Sequence, residues 1–312
     1  MIKKVFQKYG IYLGFLLIFI LFSLLSPHFL KGRNISNILV QSSILAIIAV
    51  GETIVILTGG IELSVGSVVA FTSLSSAYMI ADLGFPIAIG IILALVFSGI
   101  VGLVNGLVIS YGRVPAFITT LGMMSIARGV ALALKGGQPI SGIPPAYEAI
   151  ATYEIAGTIP IFILYTAMIY ALGYIFLVRT RSGRYIYAIG GNRDTARLSG
   201  INVKVYETMS YVICGLLAGL GGILLTARLD YATPIAGLGY ELDVIAATVI
   251  GGTSLAGGEG NILGTLLGAI MIGTLRNGLT LLNVSSYYQQ IIIGIVIVGA
   301  VFLDRIKTIR QE

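Results

Sequence analysis

"LTGGIELSVGS", residues 57–67, breaks a chain that is otherwise almost continuously apolar. On each side lies an apolar run of the length a bilayer takes as a helix, about 20 residues. Gly59 and Gly60 supply the permissive backbone for a turn back into the bilayer. Glu62 then favours the positive N-terminal end of the next helix, and Ser64 and Ser67 satisfy its freed N–H groups. So read, the stretch is a re-entry between two membrane segments.

Composition outside the break agrees. With 57% hydrophobic and 10% charged residues, 312 residues carry more apolar surface than a soluble core could hide. The expected fold is an all-α polytopic membrane protein of about ten helices, a single transmembrane domain over residues 1–312. Ten apolar segments emerge, at 10–26, 38–58, 63–81, 86–110, 114–134, 159–178, 208–229, 242–257, 262–282 and 288–303. The first follows Lys3, Lys4 and Lys8, but "LLSPHFLKG" lacks a small-residue cleavage site, so it reads as a retained helix. The lone Cys214 excludes an internal disulfide framework.

Charge orients the bundle. With ten spans and a cytoplasmic N-terminus, the inner side holds Lys3, Lys4, Lys8, Arg113, Arg179, Arg181, Arg184, Arg193, Arg197, Lys204, Arg305, Lys307 and Arg310. The outer loops hold Lys31, Arg33 and Lys135, an asymmetry that places both termini in the cytoplasm. It also accounts for the net charge of +6 without nucleic acid.

The break has a twin. "GGTSLAGGEG", 251–260, echoes "GGIELSVGS", 59–67, and each is followed by Asn-Gly-Leu, at 105–107 and at 277–279. A broken-helix pseudo-repeat is expected around 38–110 and 242–282, with both breaks on the cytoplasmic side. Small pairs at Gly102 and Gly106, Gly215 and Gly219, and Gly264 and Gly268 read as helix-packing seams.

The longest polar stretch, 179–207, contains "NRDTARLSG". Asn192 is a candidate N-cap, Asp194 suits the first turn, Arg197 the last, and Gly200 the C-cap. So short a helix does not hold itself in water, and Ala196, Leu198 and Ile201 grip a membrane weakly. It is expected to dock into another subunit.

"GGIELSVGS", "GRYIYAIGGNRDTARLSGINV", "GYELDVIAATVIGGTSLAGGEGNILGTLLGA" and "NGLTLLNVSSYYQ" together resemble the permease subunits of bacterial ABC importers for monosaccharides, the ribose type most of all. The resemblance implies a bacterial plasma-membrane protein paired with a second permease subunit, as a homodimer or a heterodimer, the homodimer being the expected form. It also implies a separate ATPase subunit that uses ATP and Mg2+, and an extracytoplasmic sugar-binding protein. Asn192, Arg193, Asp194, Arg197, Leu198 and Gly200 fall on the segment that couples such permeases to the ATPase.

The residues place the chemistry elsewhere too. No GxxxxGK[ST] is present, "GTSLA" at 252–256 misses the GxSxG elbow, and His28 is the single histidine. No catalytic residue, metal ligand or bound cofactor is expected. Polar groups inside spans are the candidates for a pathway or gate: Glu52, Thr53, Glu62, Ser64, Asn105, Thr119, Thr120, Arg128 and Asn277. Glu52 either faces a cavity or pairs with Arg128 or Arg276. The outer loop 135–157, with Glu148 and Glu154, is either a contact for the binding protein or a linker. The alternative reading, an ion-coupled secondary sugar transporter without an ATPase, would recruit Glu52 and Glu62 but has no need of the 192–201 helix.

Overall fold

The computed structural model describes residues 2–309, and side chains for residues 11–299, 301 and 302. The side chains of Lys3, Lys4, Lys8, Arg305 and Lys307, and residue Arg310, lie outside the described part. Helix α1 (Ile2–Leu25) leads to α2 (Gly32–Leu57), the break, and α3 (Val65–Ala77), which a π-helical turn at Tyr78–Asp82 prolongs. Then come α4 (Ile87–Ser110), α5 (Ala116–Leu134) and the short α6 (Pro145–Thr152). A small antiparallel hairpin, β1 (Glu154–Ile155) and β2 (Ile159–Pro160), and an isolated antiparallel bridge between Ile140 and Ala232 are the departures from an all-α chain among the described residues. Helix α7 (Ile161–Tyr174) ends in a second π-helical turn, Ile175–Arg179. The polar loop forms α8 (Arg181–Gly191) and α9 (Arg193–Leu198), and α10 (Val203–Leu229), α11 (Tyr240–Ile250), α12 (Ile262–Leu281) and α13 (Ser286–Ile309) follow.

Each of the ten expected segments meets a helix, but among the described residues only seven helices are long and apolar enough to cross a membrane. These are α2, α3 with its π turn, α4, α5, α7 with its π turn, α10 and α12. The segment expected at 242–257 is corrected: α11 stops at Ile250, where Gly251 turns out of the helix and Gly252 takes a φ of 92°. What remains is an 11-residue half-helix. Apolar composition ran on past the point where the backbone stops being helical.

Helix α2 is the axis of the fold. Every residue from Ser42 to Thr58 is buried, as befits a helix that is apolar on all faces. Helices α10 and α12 pack along it, α10 also packs on α3 and α4, and α4, α5 and α7 keep large apolar side chains exposed on their outer faces. The glycine seams are where the sequence places them. A Cβ at Gly215 would lie 3.1 Å from the Gly102 Cα, and one at Gly106 only 2.7 Å from the Thr208 Cα, so α4 and α10 touch backbone to backbone. Gly264 and Gly268 seat α12 against the backbone of Gly251 and Ala247 in the same way.

Candidate functional site

At the first break, α2 is closed off by its own backbone. Gly59 takes a φ of 81° and its N–H donates to the Ile56 carbonyl at 2.8 Å, while Gly60 N–H donates to Val55 at 3.2 Å. The chain then turns inward, so that Glu62 is 3% exposed. Its N–H donates to Glu52 Oε1 at 3.2 Å. One carboxylate oxygen of Glu62 accepts the Ser64 N–H at 2.8 Å and the Ser64 hydroxyl at 2.6 Å, and the other accepts Asn105 Nδ2 at 2.6 Å. Ser64 does stand at the N-cap of α3, but its side chain makes no cap bond. The expected roles are therefore exchanged: the carboxylate is the stronger acceptor, so Ser64 donates to it and Glu62 takes up the orphan N–H. Ser67 Oγ is buried and has no partner among the described groups, so it does not cap the helix either.

Glu52 has no exposed surface and pairs with neither arginine. Arg276 forks onto Asp243 with both bonds at 2.9 Å, and Arg128 donates to the carbonyls of Pro234 at 2.5 Å and Ala236 at 2.9 Å. Beyond the Glu62 N–H, its neighbour is the Cys214 thiol, with Sγ at 4.0 Å. The structure thus gathers Glu52, Glu62, Ser64 and Asn105 into one buried cluster and leaves the other candidates apart. Thr53 bonds to Ala49 O at 2.7 Å and Thr265 Oγ1 at 2.9 Å, Thr120 to Ala116 O at 2.9 Å, and Asn277 to Asn34 Oδ1 at 2.9 Å. The Asp243–Arg276 pair escaped the sequence reading, although two opposite charges inside apolar segments were its visible signal.

The two glycine breaks meet. Gly258 N–H donates to the Leu57 carbonyl at 3.0 Å, and a Cβ on Gly257 would lie 2.8 Å from the Gly59 nitrogen. Helix α8 completes the junction: Gly190 touches both breaks, and the Tyr187 hydroxyl donates to Gly260 O at 3.0 Å. Only glycines allow three backbones to come this close, which explains why Gly-Gly recurs at 59–60 and 190–191 and again at 257–258.

Sequence reasoning found one helix in the polar loop, and the structure has two. Thr180 caps α8 by accepting Gly183 N–H at 3.1 Å, and Ile186 and Ile189 are buried. Helix α9 has its expected N-cap, with Asn192 Oδ1 accepting Thr195 N–H at 2.8 Å, but its C-cap is Ser199 and the expected Gly200 follows one residue later at φ 84°. Its seat is set by Arg193, whose guanidinium forks onto Glu207 of α10 at 2.7 and 2.9 Å. That carboxylate holds the Arg193 pKa above its ordinary value. Ala196 is buried beside Ile189 and Val203. Arg193 is therefore a positioning residue, and Glu207 its unforeseen partner. The outward face carries Asp194 and Arg197, paired at 3.3 Å, and Leu198, which is 84% exposed.

On α5, Thr119 is half-buried and Gly122, Ser125 and Gly129 are exposed, all on one helical face. A Cβ on Gly122 or Gly129 would meet nothing. In the 135–157 loop, Tyr147 is buried and its hydroxyl lies 3.0 Å from Ser76 Oγ, while Glu148 is half-exposed and Glu154 exposed. That loop is anchored rather than free.

Residues 34–301 match the family described as branched-chain amino acid transport system permease components. The chain is 45% identical over 300 residues to a ribose import permease protein of Escherichia coli (strain K12), covering 95% of this chain and 92% of that one. It is 45% identical over 309 residues to a ribose import permease protein of Bacillus subtilis (strain 168), covering 97% and 94%. A D-allose transport system permease protein of Escherichia coli (strain K12) is 37% identical over 301 residues, covering 96% and 92%. No solved structure matches the chain.

Proposed function

Because the chain belongs to the family of branched-chain amino acid transport system permease components, we propose that it is the membrane-spanning subunit of a bacterial ATP-binding cassette importer for a monosaccharide, ribose before others. The family description alone leaves the cargo open, and the ribose import permeases at 45% identity are what select a sugar. The protein is a multi-pass component of the cytoplasmic membrane. It takes sugar from an extracytoplasmic binding protein and is driven by a separate ATPase subunit, which binds ATP and Mg2+ in this chain's stead.

Ten spans with both termini in the cytoplasm complete the reading. Its support is that Arg113, at the α4–α5 turn, lines one cleft with Arg193, Arg197 and Lys204, so these basic loops share an end of the bundle. At that end α9 offers Asp194, Arg197 and Leu198 to the ATPase, while Arg193, through Glu207, holds the helix in place. An exposed leucine on a six-residue helix is the observation that carries the docking. The pathway runs along the Thr119, Gly122, Ser125 and Gly129 face of α5, shared with a second copy of the chain, because small and polar groups on an exposed membrane helix face suit a polyol, while the exposed Ile118 and Ile126 among them suit a close protein neighbour. Glu52, Glu62, Ser64 and Asn105 brace the junction of the two breaks as the frame of an inner gate.

Vesicles carrying this protein, the ATPase and the binding protein are expected to take up labelled ribose only with ATP. Uptake by this protein alone on an ion gradient would overturn the reading in favour of a secondary transporter. Within the complex, Arg193→Glu is expected to reduce recovery of the ATPase and uptake by about tenfold or more, as a charge-assisted fork is replaced by repulsion. Adding Glu207→Arg should restore both. A double variant no better than the single one would remove Arg193 from the seating of α9.

A further inference from the structure

The seam between α4 and α10 opens at its basic end into two adjoining hollows. One is a cleft of about 280 Å³ walled by Ser110, Arg113, Arg193, Asp194, Arg197 and Lys204. Arg193 and Arg197 are committed to Glu207 and Asp194, so the Asp194 carboxylate, though in the cleft, is already balanced. Arg113 and Lys204 form no ion pair among the described residues. Lys204 Nζ stands 4.9 Å over the Tyr111 ring. The Ser110 hydroxyl is wholly buried on the cleft wall and has no hydrogen-bond partner among the described residues. Two unclaimed cations and a buried, unpartnered hydroxyl together call for an anion.

The second hollow is a groove of about 320 Å³ that starts at Tyr111 and runs along Leu103, Leu107, Val205 and Met209, with Thr208 at its floor. Leu103 and Leu107 of α4 and Val205 of α10 are 39%, 42% and 45% exposed, so the groove opens on the outer surface of the α4–α10 seam. Tyr111 links the two hollows: its ring walls the groove, and Lys204 of the cleft stands above it. A negatively charged head on an alkyl tail fits both at once, whereas an acidic side chain of a soluble partner would fill the cleft and leave the groove bare.

We propose that this is a binding site for an anionic phospholipid, with the phosphate held by Arg113 and Lys204 and by donation from the Ser110 hydroxyl, and one acyl chain lying in the α4–α10 groove. Basic pockets at the headgroup level of membrane proteins recognise lipid in this way. The occupant would tie the α4–α5 turn to the corner between α9 and α10. Lipid composition then tunes how firmly α9 is seated.

The test uses the delipidated full chain in detergent, with phosphatidylglycerol, phosphatidylcholine or inorganic phosphate added, read by native mass spectrometry and thermal melting. Phosphatidylglycerol is expected to stay bound and raise the melting temperature, and the other two to do neither. Arg113→Gln with Lys204→Gln should lower retained phosphatidylglycerol by about tenfold or more, since each cation near an anionic lipid contributes about 1 kcal/mol, or fivefold. Leu107→Trp, which fills the groove and leaves every charge in place, should do the same. Unchanged lipid retention in both variants would overturn the site. So would a melting shift reproduced by inorganic phosphate, which would mark a free-anion site, or loss of the ATPase from the charge variant with lipid retention intact, which would give the cleft to a protein partner.

Discussion

Glu62→Ala is expected to collapse the first break. Its carboxylate accepts from the Ser64 N–H, the Ser64 hydroxyl and Asn105 Nδ2, all buried. Each buried donor left without an acceptor costs about 1–3 kcal/mol, so the loss from three should be about 3–9 kcal/mol, a large part of a typical protein's stability. Glu62→Gln should do less harm, because one oxygen still accepts from Ser64 while the new amide meets the amide of Asn105. Adding Asn105→Asp to Glu62→Gln turns that meeting into a donor–acceptor pair and should recover stability. Melting in detergent with sugar uptake in vesicles reads both effects. If Glu62→Ala melts with the wild type, the cluster does not hold the turn.

The second large effect is expected at Asp243 and Arg276. Removing one member of a buried ion pair costs about 3–5 kcal/mol, because the other charge is left without compensation. The two halves are unequal here. The Asp243 side chain is 2% exposed and that of Arg276 34%. Arg276→Ala strands a carboxylate that cannot reach water, whereas Asp243→Ala leaves an arginine long enough to turn its head outward. Arg276→Ala should therefore be the worse variant, and Asp243→Leu with Arg276→Met, which removes both charges, should recover most of the loss. Equal melting of the two single variants would sink the argument from burial.

Both predictions rest on partners that spacing does not reveal. In one dimension Glu52 has Arg128 and Arg276 as its natural candidates, since opposite charges inside apolar segments are expected to seek each other. In the fold Arg276 meets Asp243 across the contact of α11 and α12, and Arg128 is spent on two carbonyls. Glu52 is left with the N–H of Glu62 and the Cys214 thiol. The cap of α9 shows the opposite case. Asn192 and Thr195 are three residues apart, so the bond is local and was legible. Arg193 and Glu207, fourteen apart with a turn between them, could be paired only once α9 was laid on α10.

The sequence by itself determined the solvent, the helices and their seams, because apolar run length, Gly-Gly breaks and small-residue spacing act over a turn or two of backbone. It also determined the family, through motifs spread over most of the chain. Only the tertiary structure decided that the two breaks and α8 are one junction, that α11 is a half-helix, and which buried charge answers which. Those outcomes depend on contacts between residues tens to hundreds of positions apart, where burial makes a missing partner costly and the choice of partner belongs to the packing of the whole bundle.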